Sequence, residues 1–555
     1  MTDPAKQSAY ASSEEFTTET KDDAERAIGA QIRFDEADAA NVPGRKQIGL
    51  FSAIFIIFNR IIGTGIFSTP STILALSGSV GLALFMWVIG SVIAAAGMWV
   101  YVVWGSALPR NGGEKNYLEY LVRRPKYLIT ALYAANGVLL GWASGNSVVF
   151  GDYLLTAGNV ADPGRYDWKP RLIGWAGLTF AFLLHGTKMQ WGLRLLNILG
   201  VIKVIIVVIV IITGFVALGG HLKVPKPHNF SHAFDGTTAS APSFCLSLYN
   251  VIWSYIGFSN VNYALSEVKN PQRTVRIAGT LAIGIITILY ILSNIAYFAA
   301  ATKEEITSSG TLVAALLFRN VYGTSAERAL DVFVALSALG NILAVIFSQG
   351  RVNQELGREG ILPFSKVWGS NRPFNAPLAG LGLHWFVCTI VIWALPPGDT
   401  YNFVLNSVRY YLSFLKTYCT PLKPNPYFQI SYPLSVINAV ISFGIVYLHF
   451  RPFPDWTRPS SFAVGAAAFF GAANVFLFVV PFIRPPPGAE PYVHLPYWTH
   501  AVAGWAVFGL GFLYWIIWGH VLPKVGGYRL ERREEVGQDG LRRHVFVRTQ
   551  QTKTP

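Results

Sequence analysis

Twelve long apolar runs, separated by polar connections, limit what this chain can fold into. They lie at about 47 to 73, 80 to 107, 127 to 157, 171 to 187, 194 to 219, 243 to 268, 276 to 301, 327 to 350, 376 to 396, 432 to 450, 460 to 483 and 497 to 522. Each is long enough to cross a hydrocarbon layer of about 30 Å as a helix. In lipid the backbone must satisfy its own N–H and C=O groups, and a helix does so internally. Only 13% of the residues are charged, about half the share usual in a soluble domain. The sequence therefore predicts an all-α membrane protein with twelve transmembrane helices, filling 47–522.

The two ends read differently. Residues 1–46 are rich in Ser, Thr, Asp and Glu and hold too little apolar material to offset the entropy of ordering, so a disordered cytoplasmic tail is expected there. Residues 523–555 read as a basic cytoplasmic tail. No basic segment followed by a short apolar core opens the chain, and no cleaved signal is expected. The net charge of +14 raises the question of nucleic acid, but the cations are dispersed over short loops instead of forming one patch. Topology accounts for them better. With the N-terminus inside, the cytoplasmic loops hold Arg110, Lys115, Arg123, Arg124 and Lys126, then Lys188, then Lys269, Arg273 and Arg276, then Arg351, Arg358, Lys366 and Arg372, then Arg451 and Arg458. Asn229-Phe230-Ser231, a glycosylation sequon, falls on the opposite side. Three scattered cysteines, Cys245, Cys388 and Cys419, imply no disulfide framework, and His221, His228 and His232 do not have the spacing of a metal site. No metal or cofactor is expected.

One segment does not fit. Val408 to Ser431 carries three prolines and three basic residues where the tenth helix should run. If it is skipped, Tyr401 to Ser407 joins directly to Tyr432-Pro433-Leu434 as one apolar span. Two explanations stand: translated, unspliced intron sequence, or an extra loop outside the membrane.

Two spans are interrupted near mid-depth. In the first, Ile61-Ile62-Gly63-Thr64-Gly65-Ile66-Phe67 places two glycines and a threonine where the helix can unwind. Unwinding frees backbone N–H groups, and the following half-helix points the positive end of its dipole at the gap, which suits a carboxylate. Alone, a small-residue packing face accounts for such a cluster at least as well. In the sixth span, Trp253-Ser254-Tyr255-Ile256-Gly257-Phe258-Ser259 interrupts the apolar run at similar depth. Carbonyls freed there could accept the protons of an ammonium group. Paired broken helices, five spans apart, are the sequence pointer to an inverted-repeat transporter with its site at the midplane. The candidate substrate residues are Ile61, Gly63, Thr64, Gly65, Trp253, Ser254, Ile256 and Gly257. Lys203 lies about 13 Å down the fifth helix at roughly 1.5 Å per residue. A lysine this deep is costly and faces a bundle interior, either as a permanently paired cation or as a group whose charge follows the side to which the site opens. Arg60 and Glu267 are a candidate ion pair closing the inner gate, and a structural ion pair or a snorkelling arginine accounts for Arg60 at least as well. Glu114 and the Glu355 to Glu359 stretch read as loop-ordering charges.

Phe58-Asn59-Arg60-Ile61-Ile62-Gly63-Thr64-Gly65-Ile66-Phe67, Asn111-Gly112-Gly113-Glu114-Lys115-Asn116-Tyr117, Leu265-Ser266-Glu267-Val268-Lys269-Asn270-Pro271 and Gln354-Glu355-Leu356-Gly357-Arg358-Glu359-Gly360 carry a resemblance. From about Gln47 to Leu522, except Val408 to Ser431, the chain resembles the fungal high-affinity methionine permeases, in the L-type branch of the amino acid–polyamine–organocation superfamily. The resemblance implies a LeuT-like fold of two inverted five-helix repeats plus two further helices. It implies carboxylate binding by Thr64 and Gly65, amine contacts from the carbonyls of Ile61 and Trp253, and gating by the Trp253 ring. It also implies that Lys203 stands where sodium binds in sodium-coupled members and serves proton coupling. Related L-type carriers have Gly where this chain has Ile256, which narrows the side-chain pocket.

The reading is a multi-pass plasma-membrane permease that is not an enzyme and takes up methionine with protons by alternating access. The alternatives are a neutral amino acid exchanger of broader specificity and an amino acid receptor that does not transport. Expected partners are the amino acid, protons, the lipid bilayer and a ubiquitin-ligase adaptor at the N-terminal tail.

Overall fold

The computed structural model describes residues 14–15, 48–63, 65–140, 142–158, 168–238, 240–309, 313–394, 432–453, 456–479, 499–536 and 542–550. The 408–431 segment, Thr64 and all of the 1–46 tail except Glu14 and Glu15 lie outside the described residues. The helices are α1 Leu50–Ile61, α2 Gly65–Ser77, α3 Val80–Ala107, α4 Glu114–Leu121, α5 Leu128–Leu139, α6 Ser144–Ala157, α7 Lys169–Thr187, α8 Met189–Leu218, α9 Ala241–Ser254, α10 Pro271–Ala300, α11 Thr324–Arg358, α12 Leu378–Ala394, α13 Tyr432–Phe450, α14 Ser461–Val479 and α15 Thr499–Ile516, with shorter pieces in the connections. Among the described residues, seven helical stretches are long and apolar enough to cross a membrane, α5 with α6 counting as one over Leu128–Ala157, and α1 with α2 makes an eighth span bent by 42°. Leu378–Ala394 and Leu434–Phe450 are shorter apolar helices.

The packing of α8 shows how such a sequence chooses its faces. Leu196, Leu199, Gly200, Lys203, Ile206, Val207, Val210 and Gly214 recur at helical spacing and are buried, while Ile198, Ile205, Ile209, Ile212 and Phe215 stand exposed on the other side. A surface of bare isoleucine suits lipid, where exposure carries no hydrophobic cost. Lys203 is on the buried stripe. Against that stripe lies α1, which also packs on α10 and α11. The second interrupted helix, α9, packs on α2 and α3, so the bundle brings the two breaks together.

The run at 127–157 is divided into α5 and α6. The α-helix of the run at 243–268 stops at Ser254, and the remainder continues as tight 3-10 turns at Asn260–Tyr263 and Leu265–Glu267. Asn229 of the sequon donates from Nδ2 to the carbonyls of Phe298 and Ala301, both at 2.8 Å. Its amide therefore serves as a loop clamp.

Within the 47–522 span the described elements are helical, as expected, and among the described residues strands occur only in the tails. Tyr528–Val536 (β2) and Arg542–Gln550 (β3) form an antiparallel hairpin, and Glu14–Glu15 (β1) adds to its edge with Glu14 opposite Arg532. The hairpin is seated on the bundle. Phe546 packs edge-on to Tyr127 and Trp518, with ring centres 5.2 and 4.7 Å apart, and Glu535 pairs with Lys366 at 3.1 Å. Short alternation among many charges carries little hydrophobic signal, so this segment reads as a plain basic tail in the sequence.

Candidate substrate site at two helix breaks

The last carbonyls of a helix have no partner within it, and α1 ends deep in the bundle. Each is met by a side chain from a different element. Lys203 Nζ donates to Asn59 O at 3.0 Å and to Ile62 O at 2.6 Å. Asn341 Nδ2 of α11 donates to Arg60 O at 2.8 Å. The Tyr290 hydroxyl of α10 donates to Ile61 O at 2.9 Å, and Ser337 Oγ reaches Ile62 O at 3.3 Å. Lys203 thus places its amine where the helix dipole is negative. On the far side of the gap, the first turn of α2 begins at Gly65 and turns its N–H groups toward the break. A Cβ on Gly65 would lie 3.1 Å from Ser254 Oγ and 3.3 Å from Ser254 Cα, so glycine is what allows the two breaks to touch.

The second break follows from its glycine. Gly257 has φ of +133°, which L side chains rarely adopt, and a Cβ there would meet Arg60 Cγ at 2.4 Å. Tyr290 bridges the breaks, since its hydroxyl also lies 3.2 Å from Ser254 O. Two cavities of about 40 Å³ flank the Ile256–Gly257 turn. One is lined by Arg60, Tyr133, Asn136, Trp142, Tyr263 and Gln349. The other is lined by Tyr101, Tyr249, Trp253, Phe258, Asn438 and Phe470. Each has room for about three waters.

The loop motifs meet at the end of the bundle that bears both tails. Arg351 holds Glu267 with two parallel bonds, Nε to Oε1 at 2.7 Å and Nη2 to Oε2 at 2.8 Å. The expected Arg60–Glu267 pair is not formed: Arg60 lies beside Gly257 and donates to Asn341 Oδ1 at 3.3 Å. Lys115 pairs with Glu119 at 2.9 Å and with Glu359, and Arg358 pairs with Glu355 at 3.1 Å. Burial opposes the charge on Lys115 and Glu119 supports it. Asn111 Oδ1 accepts from Ser266 N at 3.0 Å, and Ile48 and Lys269 lace the start of α1 to the end of the 3-10 turns. The start of α1, before the first break, and the 3-10 turns after the second are therefore tied together and clamped to α11.

The structure gathers Ile61, Gly63, Gly65, Ser254, Gly257 and Lys203 around the breaks, with Trp253 and Ile256 lining the adjacent cavities. Sequence reasoning missed Tyr290, Asn341 and Arg351. Asn341 is the hub of the group, holding Arg60 on both sides and accepting from Asn146 Nδ2 at 3.0 Å.

A bundle of apolar helices with a polar site at two breaks defines a multi-pass membrane protein built to hold a small solute. The chain belongs to the amino acid permease family, whose model, described as Amino acid permease, matches residues 48–420. The high-affinity methionine permease of Saccharomyces cerevisiae is 46% identical over 503 residues, which cover 90% of this chain and 83% of that protein. The low-affinity methionine permease of the same yeast is 30% identical over 518 residues, covering 92% and 89%. The b(0,+)-type amino acid transporter 1 of Mus musculus is 29% identical over 381 residues, covering 67% and 73%. All three are carriers by name, in keeping with a permease and not an enzyme.

Proposed function

We propose that this chain imports methionine across the plasma membrane together with protons, by alternating access in a twelve-helix LeuT-like fold of two inverted five-helix repeats. The carboxylate docks on the freed backbone N–H groups at Thr64 and Gly65, and the ammonium on the carbonyls of Ile61 and Trp253. Trp253 closes the outer side, and Ile256 with Gly257 shapes the side-chain pocket. Lys203 couples the proton. Both tails are cytoplasmic, with 1–46 available to a ubiquitin-ligase adaptor. The observation that carries this reading is the pair of breaks held face to face, bridged by Tyr290 and capped by Lys203, in a chain close to two methionine permeases. Uptake of labelled methionine in a transport-deficient cell tests it. Saturable uptake, outcompeted best by methionine across an amino-acid panel and abolished by a protonophore, is expected. Stronger competition by another amino acid overturns the substrate, and binding without uptake returns the receptor reading.

The inner gate is the Glu267–Arg351 pair. Arg351 is buried and Glu267 partly so, and removing either partner leaves the other's charge without its bidentate bonds, so Glu267→Gln and Arg351→Gln each favour the state open to the cytoplasm. Accumulation falls about tenfold or more and efflux of preloaded methionine quickens. The swap Glu267→Arg with Arg351→Glu recovers much of the loss. A swap no better than either single variant, at equal surface level, removes the pair from gating.

The family match ends at residue 420, inside the 408–431 interruption. We expect that segment to be retained intron of about 72 nucleotides, because its prolines and cations break an otherwise continuous span. Sequencing cDNA decides it: mature transcripts that all keep the segment make it a genuine loop leading into the helix that starts at Tyr432.

A further inference from the structure

Glu114 is a fully buried carboxyl that the coupling mechanism above does not use. Three phenols from three elements converge on it. Tyr101 of α3 lies 2.6 Å from Oε1, Tyr263 of the 3-10 turn 2.8 Å from Oε1, and Tyr133 of α5 3.1 Å from Oε2. Tyr101 also lies 2.8 Å from Asn438 Oδ1 of α13. A phenol has one proton, so Tyr101 cannot donate to both. With Asn438 accepting, the carboxyl must itself carry a proton and give it to Tyr101. With the amide turned over, Nδ2 donates to Tyr101, whose proton then points to an ionised carboxylate. The arrangement accommodates two protonation states that differ by one proton and one amide rotation. Burial raises the affinity of Glu114 for that proton, against the opposing pull of the phenols.

We propose that Glu114 is a second proton-binding site, at the inner gate, whose ionisation releases the 3-10 segment carrying Tyr263. The inference rests on the proton-coupled reading and adds a group on the cytoplasmic side. The proton has a route: it passes from the carboxyl to the Tyr101 oxygen as Tyr101 gives its own proton to water in the cavity that Tyr101 and Asn438 line. Tyr133 and Tyr263 line the other cavity, so the carboxyl sits beneath both. The loop bearing Glu114 is also the dock for the moving segment. Asn111 accepts from Ser266 N, Gly112 N donates to Tyr263 O at 3.3 Å, and Gly113 lies against the Tyr263 ring. The other titratable or charged groups around Glu114 are Tyr117, Arg110, Lys115 and Glu119, with Arg60 facing Tyr263. Charging a buried carboxyl is costly unless water reaches it, so ionisation favours the undocked, hydrated state.

The test uses the full chain in vesicles, measuring exchange of internal labelled methionine for external methionine while inside pH is stepped at fixed outside pH. The rate should rise with inside pH in the parent protein. Glu114→Gln, which fixes the neutral form, should be slow and flat across about two pH units. A Glu114→Gln profile that rises like the parent's overturns the proposal, as does a parent with no inside-pH dependence. If Glu114→Gln fails to reach the membrane, Tyr101→Phe replaces it: a midpoint moved by about one unit supports the site, and an unmoved one overturns it. The readings separate, because accumulation that ignores a protonophore sinks the Lys203 coupling without altering the inside-pH slope.

Discussion

Gly65→Val abolishes methionine uptake, by at least about a hundredfold or 2.7 kcal/mol, in a protein that still reaches the cell surface. The substitution acts at one point. A Cβ at Gly65 already lies 3.1 to 3.3 Å from Ser254, and the two further methyls of valine enter the gap in front of the first N–H groups of α2, where a carboxylate approaches. Uptake of labelled methionine against surface biotinylation measures both quantities. The steric cost has two sources, which a second variant separates. Ser254→Gly removes Oγ and Cβ, two of the three atoms the new Cβ meets, and leaves Cα at 3.3 Å, so it relieves most of the packing between the breaks but leaves the anion position blocked. Gly65→Val with Ser254→Gly therefore stays inactive if the carboxylate site is at Gly65. Recovery in the double variant assigns the loss to packing, and undiminished uptake by Gly65→Val alone removes the site altogether.

The breaks and the deep lysine were legible because each violates the pattern around it. Two glycines flanking Thr64 interrupt an isoleucine-rich helix, Gly257 follows a run of polar and aromatic residues, and Lys203 is a charge nine residues into an apolar span. The partners of these groups were not legible. Tyr290 sits in Ile285-Ile286-Thr287-Ile288-Leu289-Tyr290, where a lone tyrosine looks like any interfacial aromatic, yet its hydroxyl spans both breaks. Glu267 was matched with Arg60, the cation one turn before the first break, but Gly257 packs on the Arg60 stem and Asn341 holds its head, leaving Glu267 to the bidentate geometry of Arg351. Glu114 looked like a loop charge for a similar reason. A carboxylate next to Lys115 suggests an ion pair, whereas Lys115 turns to Glu119 and Glu359 and Glu114 turns inward to three phenols that sequence scatters over 162 positions, from Tyr101 to Tyr263.

Lys203→Ala loses concentrative uptake and its dependence on outside pH, with accumulation falling by about tenfold or more, while substrate binding and slow exchange persist. The geometry says what the amine contributes. Its two bonds go to Asn59 O and Ile62 O, on either side of the end of α1, and a neutral amine still has two N–H groups to keep them. Losing a proton therefore leaves the hydrogen bonds in place and removes only the charge at the negative end of the α1 dipole. That is the property a coupling group needs: the ammonium ties the end of α1 to α8, the neutral amine holds it less, and the proton's departure loosens the break on the side to which it is open. Alanine removes charge and bonds together and leaves the carbonyls of Asn59 and Ile62 without their donor, so surface level must be measured beside uptake. Lys203→Met keeps the length of the side chain without a titratable head and should show the same loss of pH dependence. A structural lysine gives a different result, with low surface level in both variants and unchanged pH dependence in what remains. A folded Lys203→Ala protein that still accumulates methionine against its gradient, with the parent's response to outside pH, sinks the assignment; the permease reading would stand and Glu267 would be the next titratable group to test.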